Sequence, residues 1–215
     1  CADAGLCYNP IVKAVALGAR EFPMSELLLG AVRDVRPVGK AAHERDGEPV
    51  ADRFAEAGYV ALAPDYHGET ATEPDEARKL LMALEMERAA KDIAGAAYYL
   101  AGRPEQHGGI GVIGFCMGGS LALWTATLSD EVTAAVGFYP PLDWSSMSPR
   151  WQNYAGKAAM IHTAESDGGS AAAGIGTAVA AISAAGGEVE VYDYPGTRHA
   201  FFNDENPGAY NKPAA

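Results

Sequence analysis

The sequence predicts an α/β fold with a mostly parallel central sheet that is flanked by helices on both faces. From about Glu48 onward, short apolar runs alternate with longer amphipathic stretches, which is the pattern of βαβ units. The chain has 215 residues, of which 48% are hydrophobic and 20% charged, enough for one domain with a buried sheet and no second domain. We therefore expect residues 1–215 to form a single domain.

Five apolar runs are predicted strands, because each is short and bounded by turn-forming residues. They cover residues 59–63, 110–115, 133–138, 158–163 and 188–192. The stretches before or between them are predicted helices, at residues 49–56, 75–100, 117–127 and 175–185. In the second helix, Ile93, Ala97 and Leu100 fall on one face and should point into the core. Residues 11–17 are a further candidate strand, but residues 20–40 show no clear period and stay unassigned.

Charge and cysteine content exclude several classes of function. The formal net charge of -12 at pH 7 would repel polyphosphate, and no run of Lys or Arg provides a local exception, so no nucleic-acid partner is expected. Cys1, Cys7 and Cys116 are too few and too scattered for a disulfide scaffold, which favours a reducing compartment and a cytoplasmic location. No apolar run approaches the roughly 18 residues that span a bilayer, so no membrane partner is expected.

Residues 110–119 carry the motif that points most clearly to chemistry. An apolar strand runs directly into a turn and a helix, and the glycines around Cys116 fit the pattern G-x-nucleophile-x-G. In this arrangement the nucleophile lies on a strained strand-to-helix turn, and glycines two residues away allow close backbone contact. At a helix amino terminus Cys116 would be favoured as thiolate, and the amide of Met117 would point toward a developing oxyanion.

Two simpler interpretations compete for the same segment. Free cysteine is often a buried packing residue, although packing alone does not require a tight turn with glycine on both sides. The run from Gly109 to Gly114 also fits G-x-G-x-x-G, the pattern of a dinucleotide-binding loop. In such a loop the glycines follow the strand, whereas here Ile110, Val112 and Ile113 form the strand itself.

The two further residues that a cysteine nucleophile needs follow in the expected order, each after a predicted strand. His199 comes shortly after residues 188–192 and would exchange protons with the thiol, while Asp167 comes after residues 158–163 and would fix the histidine tautomer. The alternatives are a surface-loop histidine and a turn or helix-capping aspartate. Glu165 is the competing acid, but the glycines after Asp167 favour a turn there.

The remaining histidines do not form a metal site in the sequence. His43 and Glu44 lack the second histidine of H-E-x-x-H, because residue 47 is glycine. His67, His107 and His162 have no partner at ligand spacing. We therefore expect neither a metal nor another cofactor.

Taken together, these motifs resemble the dienelactone hydrolase family of α/β-hydrolases, over about residues 43–210. The resemblance rests on residues 114–119 (GFCMGG), 63–65 (APD), 195–202 (PGTRHAFF) and Asp167 in its loop. It implies an α/β-hydrolase fold and hydrolysis of a carboxylic ester or lactone through an acyl-enzyme. The catalytic cysteine, aspartate and histidine of the family then fall on Cys116, Asp167 and His199.

The same resemblance implies further site residues. Glu44 matches a glutamate that contacts the resting thiol, and the Arg45 amide would then join that of Met117 in the oxyanion hole; the alternative is a solvated charged loop. Dienelactone hydrolases grip the substrate carboxylate with two arginines, but Pro74 and Asn203 stand at those positions here. The candidates for substrate binding in this chain are Arg78, Arg198 and Asn203.

Three functions therefore follow from the sequence. The first is a cysteine-dependent hydrolase of small esters or lactones, acting as a monomer or homodimer. The second is a non-catalytic or redox-sensing relative in which Cys116 is oxidised. The third is a nucleotide-binding oxidoreductase built on the glycine run of residues 109–114.

Overall fold

A computed structural model describes most of the carboxyl-terminal two thirds of the chain and parts of the rest. The described residues are 12–16, 50, 54, 59–62, 79, 83–104, 106–143, 145–204 and 206–215, with residues 12–16 and 170 described by their backbone alone.

A six-stranded sheet organises these residues. Its strands lie in the order β2-β1-β3-β4-β5-β6. Strands β3 to β6 are parallel to one another, whereas β1 is antiparallel to both of its neighbours. The sheet is therefore mostly parallel, as the sequence predicts. The strands are β1 (Val12–Ala16), β2 (Val60–Leu62), β3 (Ile110–Phe115), β4 (Val132–Phe138), β5 (Ala158–Ala164) and β6 (Glu188–Tyr194).

Three helices with described bounds flank this sheet, Val50, Phe54, Lys79 and Ala83 are also helical, and two short 3-10 turns precede and follow β5. The helices are α1 (Met86–Ala101), α2 (Met117–Thr125) and α3 (Ser170–Ala184), and the turns are Trp151–Tyr154 and Glu165–Asp167. Helix α2 connects β3 to β4, and α3 connects β5 to β6, with each strand pair adjacent in the sheet. Right-handed crossovers place both helices on the same face. None of the helices described is long and apolar enough to cross a membrane.

The side chains of β3 alternate between two hydrophobic cores. Ile110 and Val112 belong to the core that contains α1 and α2. Ile113 points the other way and packs in a second cluster with Tyr59 and the helical residue Phe54, whose rings lie 5.7 Å apart. This period of two is what a strand buried on both faces requires. Helical structure thus lies on both faces of the sheet.

The predicted strands and the predicted helices over residues 117–127 and 175–185 are confirmed, and most of the predicted helix over residues 49–56 lies outside the described residues. The long helix over residues 75–100 is wrong as a continuous element. Leu84 and Glu85 are not helical, and α1 begins at Met86. Glu85 has an extended backbone (φ -76°, ψ 97°), and its carbonyl accepts the N–H of Ala89, so it caps the helix. Glutamate is not a preferred capping residue, which is why the sequence gives no sign of this start. The predicted core face of Ile93, Ala97 and Leu100 is buried.

Helix α2 is buried along its whole length, so the carbonyl groups at its end need donors within the protein. Side chains from residues 153–157 donate to the Leu123 carbonyl in the helix and to three carbonyls in the turn that follows it. Asn153 donates to the Thr127 carbonyl at 2.7 Å, and Tyr154 donates to the Leu123 carbonyl at 2.8 Å. The Lys157 ammonium donates to the carbonyls of Ala126 at 2.7 Å and Ser129 at 2.6 Å. Burial of this ammonium lowers the pKa of Lys157.

Replacing Lys157 with methionine should destabilise the protein by about 1–3 kcal/mol, because two carbonyl groups lose their donor. Urea unfolding followed by circular dichroism measures the change. Lys91→Met is the matched control, since the Lys91 ammonium forms an exposed ion pair with Glu87 on α1. Equal urea midpoints for the two variants would contradict the role given to Lys157.

Candidate functional site

Cys116 lies on the turn between β3 and α2, at the carboxyl end of the parallel strands. Its backbone is strained, with φ 54° and ψ -125°. Its N–H donates to the Phe138 carbonyl at 2.9 Å, and its own carbonyl accepts the N–H of Gly119 at 2.9 Å. Helix α2 starts at the next residue, Met117, whose amide is one of the first-turn donors that have no partner within a helix. These contacts hold the cysteine at the amino terminus of a buried helix.

Two glycines make this turn sterically accessible. A Cβ atom at Gly114 would lie 2.0 Å from the Gly118 carbonyl oxygen, far inside the contact limit. A Cβ atom at Gly119 would lie 3.1 Å from the Phe138 carbonyl oxygen, a tighter contact than most. Gly111 and Gly114 belong to β3 itself, so this run lacks the strand-then-glycine order of a dinucleotide loop.

Asp167 and His199 meet at the same end of the sheet, on the loops after β5 and β6. The Asp167 carboxylate is 2.9 Å from Nδ1 of His199, and the side chains are only 17% and 29% exposed. The other ring nitrogen, Nε2, is shielded from solvent and has no hydrogen-bond partner among the described residues. The carboxylate on Nδ1 fixes the tautomer and orientation of the imidazole, and no described group competes for Nε2.

The two residues before Asp167 attach the acid loop to the histidine loop. The Glu165 carboxylate accepts the N–H of Gly196 at 2.6 Å. The Ser166 hydroxyl accepts the N–H of His199 at 2.8 Å, and the Ser166 N–H donates to the Thr197 carbonyl at 3.3 Å. Glu165 therefore binds loop backbone, while Asp167 is the acid that contacts the imidazole.

Backbone strain in the described residues is concentrated around these groups. Among them, the non-glycine residues with positive φ are Cys116 (54°), Tyr139 (41°) and Ala200 (68°). Tyr139 directly follows β4, next to the elbow, and Ala200 directly follows His199. Such conformations cost about 1–3 kcal/mol each and tend to cluster at functional sites. Their positions independently indicate that this end of the sheet is the site.

An aromatic row lies beneath the site on the face opposite α2. In this aromatic row, Phe115, Phe138, His162 and Tyr192 occupy paired positions on β3 to β6. The ring of His162 is stacked 4.2 Å from Phe138 and 5.4 Å from Tyr192, and its Nδ1 is 2.8 Å from the Tyr194 hydroxyl. Burial lowers the pKa of His162 to about 4. This histidine is therefore a neutral packing residue at pH 7.

The other residues expected at the site are placed as follows. Glu44, Arg45 and Arg78 lie outside the described residues. Arg198 is exposed beside His199, and Asn203 is half-buried, with its N–H donating to the Ala200 carbonyl at 2.9 Å. In the described ranges no group of three or more His, Cys, Asp or Glu side chains could hold a metal ion.

Tyr139 and Ser166 are site residues that the sequence does not reveal. Ser166 reads as an ordinary turn residue between two acids. Tyr139 stands at the end of a strand before Pro140 and Pro141, and that proline pair is the one sign of an irregular backbone nearby. Neither residue type signals a contact with a histidine far away in the sequence.

The fold and the site together define an α/β-hydrolase, with a mostly parallel sheet and a strained strand-to-helix elbow at its carboxyl edge. A sequence profile of the dienelactone hydrolase family matches residues 39–215. The chain therefore belongs to the dienelactone hydrolase family.

Curated relatives agree with this family at modest identity. A carboxymethylenebutenolidase of Pseudomonas putida is 35% identical over 92 residues, which cover 38% of this chain and 39% of the relative. A Bradyrhizobium sp. protein assigned as a 2-oxo-3-(5-oxofuran-2-ylidene)propanoate lactonase is 37% identical over 107 residues, which cover 45% of this chain and 41% of the relative. The matches thus span about two fifths of these relatives.

Solved structures support the fold. A Klebsiella pneumoniae structure described as a dienelactone hydrolase superposes with a TM-score of 0.60 at 19% identity, covering 77% of this chain and 74% of that one. A dienelactone hydrolase-like promiscuous phosphotriesterase from metagenomic libraries gives a TM-score of 0.55 at 18% identity, covering 75% and 71%. At these identities the likeness concerns architecture.

Gly114→Ala should prevent the elbow from forming, because its Cβ would meet a backbone oxygen that cannot move away. We expect a loss of at least about 3 kcal/mol or failure to fold. Gly95→Ala is the control, since a Cβ at this exposed position of α1 meets nothing within 4 Å. The control should gain up to about 1 kcal/mol. Thermal unfolding measures both, and a folded Gly114→Ala protein of wild-type stability would disprove the steric argument.

The protein should become less stable at low pH because His162 is buried in its neutral form. Its folded pKa of about 4 lies below its ordinary value of 6.5. As the pH is lowered, the unfolded chain therefore binds the proton at a higher pH than the folded chain does. The contribution of neutral His162 to the free energy of unfolding is complete above pH 6.5 and is lost as the pH falls toward 4. The loss should reach about 1–2 kcal/mol near pH 4.5. His162→Phe keeps the stacking but cannot titrate, so it should show a smaller drop between about pH 7 and pH 4.5 in urea unfolding. Parallel pH dependences in both proteins would refute this assignment.

Proposed function

We propose that this protein hydrolyses small carboxylic esters or lactones, with Cys116 as nucleophile, His199 as proton carrier and Asp167 as the carboxylate that orients it. The observation that carries the proposal is the 2.9 Å contact between Asp167 and His199. It occurs at the sheet edge where Cys116 occupies the elbow, and it leaves the shielded Nε2 of His199 for the reaction. Membership of a hydrolase family supports the same chemistry.

In the first half of the reaction, Nε2 of His199 takes the thiol proton and Sγ of Cys116 attacks the ester carbonyl carbon. The carbonyl oxygen becomes an oxyanion, which the Met117 amide and the helix amino terminus stabilise. The bond to the alcohol oxygen then breaks, and the imidazolium returns its proton to that oxygen. In a lactone the alcohol stays attached to the acyl group, so the opened chain remains bound as a thioester.

In the second half, water gives a proton to Nε2 and attacks the thioester carbonyl. The oxyanion forms again, the carbon–sulfur bond breaks, and the thiolate recovers its proton from the imidazolium. Asp167 stays ionised throughout and stabilises the positive charge on His199 in both halves. Each step uses groups already present at the elbow and its two neighbouring loops.

The substrate class follows from the relatives and from the site. The names of the relatives specify lactones, which supports an unsaturated lactone as the natural substrate class. Arg198 provides an exposed cation next to His199 that suits a carboxylate on such a substrate. On the family pattern we add Glu44 and the Arg45 amide to the proposed site. Arg78 and Asn203 are further candidates for substrate binding, in place of the two arginines of the family.

Turnover of p-nitrophenyl acetate and of dihydrocoumarin by the full chain tests the proposal. Cys116→Ala and His199→Ala should each lower kcat/KM by at least about a thousandfold, because each removes a group that bonds or carries a proton. Asp167→Asn should lower kcat by a comparable factor, since it no longer fixes the proper tautomer. Mass spectrometry of the Cys116 peptide should detect the acetyl thioester during turnover of the first substrate.

His107→Ala is the matched control for the histidine variant, because His107 is exposed and lies outside the site. It should retain wild-type turnover. If Cys116→Ala hydrolyses both substrates at the wild-type rate, the thiol mechanism is excluded. If folded wild-type protein hydrolyses neither an ester nor a lactone, the proposed activity is excluded as well.

A further inference from the structure

Tyr139 joins the elbow of Cys116 to the histidine loop. Its backbone N–H donates to the His162 carbonyl at 2.6 Å, and the preceding residue, Phe138, accepts the N–H of Cys116 at 2.9 Å. The backbone of Tyr139 is therefore fixed on two adjacent strands. Its φ of 41° is a backbone conformation that glycine adopts without strain. A residue with a large side chain is strained at this position.

Tyr139 is 4% exposed, and its side chain lies against the loop that carries His199. Its ring is 4.9 Å from the His199 ring and packs edge-on against Phe201 at 5.3 Å. Its hydroxyl oxygen accepts the backbone N–H of Phe202. The Tyr139 side chain thus contacts the imidazole of His199 and two residues further along the same loop, Phe201 and Phe202.

Tyr139 also lies within electrostatic reach of Cys116 and Asp167. Burial raises the pKa of its phenol, so the group stays neutral and adds no charge to the site. The neutral, buried ring lies 4.9 Å from the imidazole at an interplanar angle of 59°, so it occupies one side of His199 without adding charge there. It leaves Nδ1 bound to Asp167 and Nε2 shielded.

We infer that Tyr139 is a positioning residue for the proposed hydrolysis: its ring and hydroxyl hold His199 and its loop in the orientation in which the imidazole serves Cys116. This inference rests on the proposed function for its kinetic consequence. It also has a consequence that does not require turnover, because a histidine that pairs with a cysteine favours ionisation of the thiol.

The test compares Tyr139→Phe and Tyr139→Ala with Tyr154→Phe. Tyr154 is the matched control, since it is also a buried tyrosine whose hydroxyl binds a backbone group, the Leu123 carbonyl at 2.8 Å. Both phenylalanine variants lose one buried hydrogen bond, but only one loses it beside His199. A merely structural role would therefore affect both alike.

Two readouts are recorded for each protein. One is the split between kcat and KM for p-nitrophenyl acetate. The other is the pH dependence of Cys116 alkylation by iodoacetamide, followed by mass spectrometry of the Cys116 peptide, because Cys1 and Cys7 also carry thiols. The second readout remains informative in a protein that turns over no ester, so failure of the proposed function and failure of this inference are distinguishable.

Tyr139→Phe should lower kcat by about 3–10-fold with KM unchanged, and Tyr139→Ala by about a hundredfold. In both, the alkylation midpoint should rise toward the value of about 8.5 of free cysteine. Tyr154→Phe should keep the wild-type kcat and alkylation midpoint. If Tyr139→Phe matches Tyr154→Phe in both readouts, the inference is overturned, and this comparison holds even if the alanine variant does not fold.

Discussion

The turn from β3 into α2 is the constraint on which the rest of the site depends. It brings the Gly118 carbonyl to a place where a Cβ at Gly114 would lie 2.0 Å away, so only glycine permits it. The close approach sets α2 directly on the sheet and points its amino terminus at Cys116. A helix placed so deeply carries mostly apolar side chains, and each of its polar groups needs a partner inside the protein. The hydroxyls of Ser120 and Thr125 donate to the carbonyls of Pro141 and Ala90. The side chains of residues 153–157 donate to carbonyls at the end of the helix and in the turn that follows it.

The second half of the site depends on parallel pairing. Because β5 and β6 are parallel neighbours, the loops that follow them emerge at the same edge as Cys116. Pairing alone would leave these loops free to separate. Glu165 and Ser166 hold them together through the backbone of Gly196, Thr197 and His199, and Asp167 adds the contact to the imidazole. Strain at Tyr139 is tolerated because the packing around this buried residue fixes it.

The sequence predicts the parallel strands and the elbow well, because both depend on local patterns: apolar runs of strand length and glycines at fixed distances from Cys116. It also places Asp167 and His199 after the correct strands. It does not predict the break at Leu84 and Glu85, where no capping residue marks the new helix. Nor does it predict that Glu165 accepts the backbone N–H of Gly196. That contact joins residues far apart in the chain, and such contacts leave no periodic signal in the sequence.

The bonds between the acid loop and the histidine loop have a consequence for loop exchange between proteins of this fold. Each of residues 165–167 binds a particular atom of residues 196–199, so the two segments form one recognition unit split across the sequence. Transplanting either loop alone into another scaffold would leave several polar groups of the two loops without their hydrogen-bond partners. Natural recombination or protein engineering must therefore transfer the acid loop and the histidine loop together, whereas exposed residues of α1 can be substituted one at a time.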